Sequence, residues 1–137
     1  QMQCDLSVMI SNDMFNRFVM PELEELSSWL DYSLYHFDGM EQIRLLDSLL
    51  SIKKLRAIQW VCVAGQPSPT EFIPVLQKIQ KAGKGLVIQS AQPHEAIKLL
   101  DNLSCRSLHL MISGVKNVEE GMELMKLIEK HSKDRKL

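Results

Sequence analysis

His36 and Asp38 are the two side chains whose types and spacing most readily do chemistry. An imidazole two residues before a carboxylate supplies a proton carrier and a group able to orient it. They lie in Asp31-Tyr32-Ser33-Leu34-Tyr35-His36-Phe37-Asp38-Gly39, which reads as a short strand running into a polar turn. Alternation puts Ser33, Tyr35 and Phe37 on one side of that strand and Leu34, His36 and Asp38 on the other. The pair then shares a face at the carboxyl end, where α/β proteins build their sites. Read as a polar ligand site, His36 and Asp38 hydrogen-bond a small substrate, with Gln59, Trp60, Gln66 and Gln89 lining the mouth. The plainer reading makes His36 a hydrogen-bonded residue of that mouth and Asp38 the cap of the next helix. Trp60 likewise has a plainer reading, as core filler.

A strand so placed needs neighbours. Asp5 to Ser11 reads as a first strand, after which Asn12 or Asp13 caps a helix carrying Phe15, Phe18, Leu23 and Leu26 at helical spacing. Pro21 lacks an N–H and clashes one turn back, which predicts two helical pieces meeting near Met20. After the central strand come a helix over about 40–52, a strand over 55–64, and a helix capped by Thr70. A strand over 86–90, a helix opened by Gln92-Pro93, a strand over 108–112 and an amphipathic helix over about 117–131 complete the chain. The period of about 25 residues is that of a βα unit and predicts a parallel sheet with right-handed crossovers. The expected class is α/β, in one domain over 1–137. Periodicity leaves two architectures open: part of a (β/α)8 barrel, or an open doubly wound sheet.

The totals remove several function classes. With 137 residues, 45% apolar and 24% charged, and a net charge of -1, the chain has the make-up of an ordinary globular domain. It has no basic stripe, so no nucleic-acid partner is expected; Lys133-Asp134-Arg135-Lys136 reads as a solvated helix end. Cys4, Cys62 and Cys105 stand far apart with no CxxC, which predicts free thiols in a reduced, cytoplasmic setting. No apolar run reaches the roughly 20 residues of a membrane helix, so no membrane partner is expected either. A Gly-rich phosphate loop, a GxSxG elbow and a Cys/His nucleophile pair are all missing.

Five pieces in order carry a resemblance. They are Ser11-Asn12-Asp13-Met14-Phe15 with Phe18-Val19-Met20-Pro21-Glu22-Leu23, Tyr35-His36-Phe37-Asp38-Gly39, Ala57-Ile58-Gln59-Trp60-Val61, Gly65-Gln66-Pro67, and Ile79-Gln80-Lys81-Ala82-Gly83-Lys84-Gly85. Together they resemble the carboxyl-terminal part of the uroporphyrinogen decarboxylase superfamily of TIM barrels, which includes the corrinoid-linked methyltransferases. The resemblance implies a partial (β/α)8 barrel whose partner is either the missing amino-terminal half or a second copy of the chain. It implies a decarboxylase-like or methyltransferase-like activity on a small-molecule substrate, with a corrinoid protein as a further partner in the methyltransferase case. Methyltransferases of the superfamily hold zinc through a His-x-Cys on this strand and a distant Cys. Here the positions are His36 and Asp38, both acceptable zinc ligands, but no third is evident. The decarboxylases need no cofactor, and their substrate-gripping residues lie in the early half of the barrel. The rival to an enzyme is a binding or assembly module that keeps the architecture without the chemistry.

Overall fold

The computed structural model, described over residues 1–62 and 65–134, contains four strands: β1 (Ser33–Phe37), β2 (Leu55–Val61), β3 (Gly85–Ala91) and β4 (Leu108–Ile112). All neighbours are parallel, in the order β1-β2-β3-β4. The α/β class and the alternating βα units are as expected. A doubly wound sheet reverses its order at a switch point; these four strands show no reversal. Sequential order with right-handed crossovers sends every connecting helix to the same face.

Burial records that one-sidedness. Tyr35, Phe37, Ile58, Trp60, Leu86 and Ile88 are wholly buried on one face of the sheet. They pack with Leu46 and Leu49 of α3 (Leu46–Ser51), Leu76 and Ile79 of α4 (Ile73–Lys81), and Leu99 of α5 (Pro93–Asn102). On the opposite face Leu34, His36, Gln59, Val87 and Gln89 keep partial contact with solvent, and His109 is exposed. The alternation read from Ser33 to Asp38 therefore holds, and it separates a core face from an uncovered face.

The first expected strand does not form. Asp5–Met9 is a 3-10 turn, and only Met2 joins the sheet, its N–H donating to Leu34 O and its carbonyl accepting from His36 N. The reason lies in Arg44. Its guanidinium takes the carbonyls of Ser7 at 2.6 Å and Ile10 at 2.8 Å and the side chain of Asn12, so those carbonyls have no ladder to join.

Pro21 acts as expected. Residues 12–29 run as α1 (Asn12–Met14), a π-turn over Phe15–Val19 and α2 (Met20–Trp29). Met20 N reaches back five residues to Phe15 O, and this wider turn gives Pro21 its place near the start of α2. Ser68, not Thr70, caps the turn before α4, its hydroxyl accepting from Thr70 N at 3.1 Å. The strand expected to reach Ala64 ends at Val61; Val63 and Ala64 lie outside the described residues. The last helix, α6 (Val118–His131), starts at Asn117, whose side chain accepts from Glu120 N at 2.8 Å.

Gly39 turns the chain out of β1 with φ 62°, a left-handed conformation that glycine adopts freely. A Cβ there would also come within 2.8 Å of the Val61 carbonyl oxygen and collide with the Gln66 amide. Gly39→Ala is expected to destabilise the fold by about 2–4 kcal/mol, combining left-handed strain with a displaced strand end. Urea denaturation checks this, and a variant as stable as the wild type would contradict the geometry.

Candidate functional site

The sheet's carboxyl end brings His36, Asp38 and Gln59 together. His36 and Gln59 are register partners on β1 and β2, so their side chains leave the same face side by side. His36 Nδ1 lies 2.7 Å from Gln59 Oε1, and His36 Nε2 lies 3.2 Å from Asp38 Oδ1. With the amide in this orientation Nδ1 donates to Gln59, which fixes the ring and turns Nε2 toward the carboxylate. The side chains of His36 and Asp38 keep 22% and 24% of their exposure, enough for a ligand to reach them. Gln1 Nε2 adds a 3.3 Å bond to Gln59 Oε1.

Asp38 occupies the position before the Gly39–Leu45 turn, but its carboxylate does not cap it. Oδ2 instead accepts from Gln42 Nε2 at 3.2 Å, while Asp38 N donates to Gln42 Oε1 at 3.3 Å. Gln42 is fully buried and also donates to the Ser7 hydroxyl at 2.8 Å. A chain of polar contacts thus runs from Ser7 through Gln42 to Asp38, then His36 and Gln59. Neither Gln42 nor Ser7 stood out in the sequence. The available signal was a glutamine four residues after Asp38, on the side of a turn that otherwise faces apolar neighbours.

The other expected mouth residues divide. Gln89 lies on the uncovered face, paired with Val61. Gln66 is held away by a task of its own: its Oε1 accepts from Met40 N at 3.0 Å and braces the loop around Gly39. Trp60 is a correction. It neighbours Gln59, so alternation sends it to the opposite face, where it is fully buried and stacks on Phe37 at 5.5 Å and near Phe72 at 5.0 Å. It cannot line the mouth that Gln59 lines.

The chain matches no protein-family model, no curated protein and no solved structure. The site is therefore read from its own atoms. Among the described residues no group of three or more His, Cys, Asp and Glu side chains gathers, so His36 and Asp38 lack the third protein ligand of a catalytic zinc. Cys4, Cys62 and Cys105 are free. Burial pushes the Cys4 and Cys62 thiols up, which disfavours the thiolate that a nucleophile requires. His131 pairs with Asp101 at 2.8 Å at the end of α6, and His94 and His109 are exposed. No described helix is long and apolar enough to cross a membrane.

Tyr35 sits directly beneath this network. Its hydroxyl is fully buried without a hydrogen-bond partner among the described residues; the Ser7 hydroxyl is nearby but outside bonding geometry. Burial foremost, then the proximity of Cys4, holds the phenol well above its ordinary value of 10.0. Above that pH the unfolded chain ionises while the folded one stays protonated. The stability present below pH 10 is then lost at about 1.4 kcal/mol per pH unit. Tyr35→Phe is expected to leave stability at pH 7 unchanged or slightly higher, since it deletes an unpaired hydroxyl, and to flatten the alkaline decline. Urea midpoints from pH 8 to 11 check it; parallel curves for the two proteins would contradict it.

Proposed function

We propose that this chain forms the carboxyl-terminal part of a uroporphyrinogen decarboxylase-like or corrinoid-linked methyltransferase-like barrel and binds a small polar substrate at His36 and Asp38. The observation that carries the reading is the 3.2 Å approach of His36 Nε2 to Asp38 Oδ1 on the uncovered face, at the carboxyl end of β1. Sequential parallel strands with helices on one side support the barrel, because a (β/α)8 barrel turns its uncovered face inward and binds substrate at the carboxyl ends. In this reading the outer edge of β4 receives the missing amino-terminal half or a second copy of the chain. His36 acts as the acid or base, and Asp38 orients the ring and balances its charge. The decarboxylase branch needs no cofactor. The methyltransferase branch would add zinc, with its remaining ligand supplied by the other half of the barrel, and a corrinoid protein as methyl donor or acceptor.

The test is an NMR screen of small polar metabolites, read at the His36 ring nitrogens and the Gln59 side-chain amide, and repeated on His36→Ala with the Gln59 amide as the readout. Compounds that move the His36 signals are expected to lose at least tenfold in affinity in the variant, whose fold is kept because His36 is on the uncovered face. Affinities unchanged by the substitution would remove the site from this place. Zinc content separates the branches: stoichiometric zinc lost with His36→Ala favours the methyltransferase. A second reading, a binding or assembly module without chemistry, is favoured by one observation. Both ring nitrogens and both Asp38 oxygens already have partners inside the chain. That reading expects no compound to move His36.

A further inference from the structure

Strand β3 breaks the alternation on which the site face is built. Ile88 is buried and Gln89 is half-buried on the uncovered face, so strict alternation would return Ser90 to the core. Ser90 is instead exposed, and the following residue, Ala91, is fully buried opposite Ile112. The register with β4 slips between Ile88 and Ala91. One extra residue has been admitted, and two consecutive polar side chains stand off the core at the carboxyl end of β3. Ser90 has φ 63°, where glycine is at ease and serine is strained. Bulges of this kind re-aim side chains beside sites, and strain in a non-glycine residue there points to a use for its side chain. Neither Gln89 nor Ser90 makes a side-chain hydrogen bond to another described residue.

The charges around this rim narrow the ligand. Arg56 and Lys84 belong to the amino ends of β2 and β3, and Lys84 Nζ donates to Ile52 O at 2.7 Å and Leu55 O at 2.8 Å. Arg44, the cation nearest Asp38 in sequence, is engaged by the Ser7 and Ile10 carbonyls. Among the described residues, the turns that follow β1, β2 and β3 carry no lysine or arginine apart from Arg44; the strand ends present an imidazole paired with its carboxylate, the Gln59 and Gln89 amides and a hydroxyl, with Glu41 and His94 exposed beyond them. From these we infer that Gln89 and Ser90 contact the ligand of the His36–Asp38 site, and that the part of the ligand lying along β3 is uncharged and rich in hydroxyl groups, any carboxyl group of the substrate lying at His36. The inference rests on the reading of His36 and Asp38 as a ligand site. β1 and β3 are two interstrand steps apart, about 10 Å, so one ligand touching both is about as long as two sugar rings.

Maltose is the probe, with glucose as the shorter neutral molecule and inorganic phosphate as the anion, titrated while the His36 ring and the Gln89 and Ser90 amides are followed by NMR. Maltose is expected to move all three with one dissociation constant and to bind more tightly than glucose or phosphate. Ser90→Gly is expected to weaken maltose at least fivefold while raising the melting temperature by about 2–4 °C, because the strain is relieved as the hydroxyl is lost. Ser90→Asn, which tolerates the same backbone and keeps a polar group, is expected to recover part of the affinity. Maltose binding unaffected by Ser90→Gly, or tighter binding of phosphate, overturns the inference. The His36→Ala variant separates the two claims. Weakened binding there with none in Ser90→Gly fails the Ser90 contact alone; weakened binding in Ser90→Gly with none in His36→Ala fails the His36–Asp38 site.

Discussion

Trp60→Ala is expected to lower the unfolding free energy by about 3–5 kcal/mol, the range for deleting a buried indole. Trp60 is fully buried on β2 between Phe37 of β1 and Phe72, which leads into α4, so its loss opens a cavity where strand and helix layers meet. Whole domains are stable by only about 5–15 kcal/mol, so the variant should unfold at much lower urea and be partly unfolded near 37 °C. Trp60→Phe should cost less, because it keeps an aromatic ring and removes an indole N–H that has no partner among the described residues. Equilibrium urea curves decide between two roles for this residue. A stacking platform for substrate would lose binding on truncation and keep its stability, whereas a core residue does the reverse. A Trp60→Ala protein with wild-type stability would return Trp60 to the mouth.

Gln42→Leu is expected to act on stability and on the site together. The side chain is similar in volume, so packing changes little, but the polar contacts vanish. The Ser7 hydroxyl and the Asp38 N–H lose their partners in a buried region, and the Asp38 carboxylate loses one of its two holds. Stranded buried groups of this kind cost about 1–3 kcal/mol each, which gives an expected loss of about 2–4 kcal/mol. The His36 ring should change its nitrogen chemical shifts even though it does not touch Gln42, because Asp38 is no longer held against it. Gln42→Glu, which keeps the acceptor for Asp38 N but cannot donate to Asp38 or Ser7, should show the ring effect with a negative charge set against a carboxylate. Unchanged urea midpoints and unchanged His36 shifts in Gln42→Leu would mean that Asp38 is positioned by other contacts.

The uneven legibility of this chain has local causes. The helices from α4 to α6 could be read because their signals lie within a few residues of one another. Pro93 begins α5, Gln92 N bonds Glu95 at 2.8 Å, and Asn117 caps α6. Pro21 could be read for the same reason, since its missing N–H is a property of the residue itself. Asp5 to Ser11 carries an apolar alternation that suits a strand, while the Arg44 guanidinium that claims its Ser7 and Ile10 carbonyls is some 35 positions away in sequence. Trp60 was half legible. Its alternation against Gln59 was present in the sequence, but which face the helices would cover was not.

By itself the sequence determined that strands alternate with helices, and that an imidazole and a carboxylate leave β1 on the same side. A period of two along a strand requires that wherever the strand sits. Only the tertiary structure decided that the four strands follow one another without reversal, that one face is left uncovered, and that Gln59 and Gln42 hold the pair from either side. Strand order and burial depend on which distant segments meet. Those meetings are governed by packing free energy summed over the whole sheet, and no local spacing contains it.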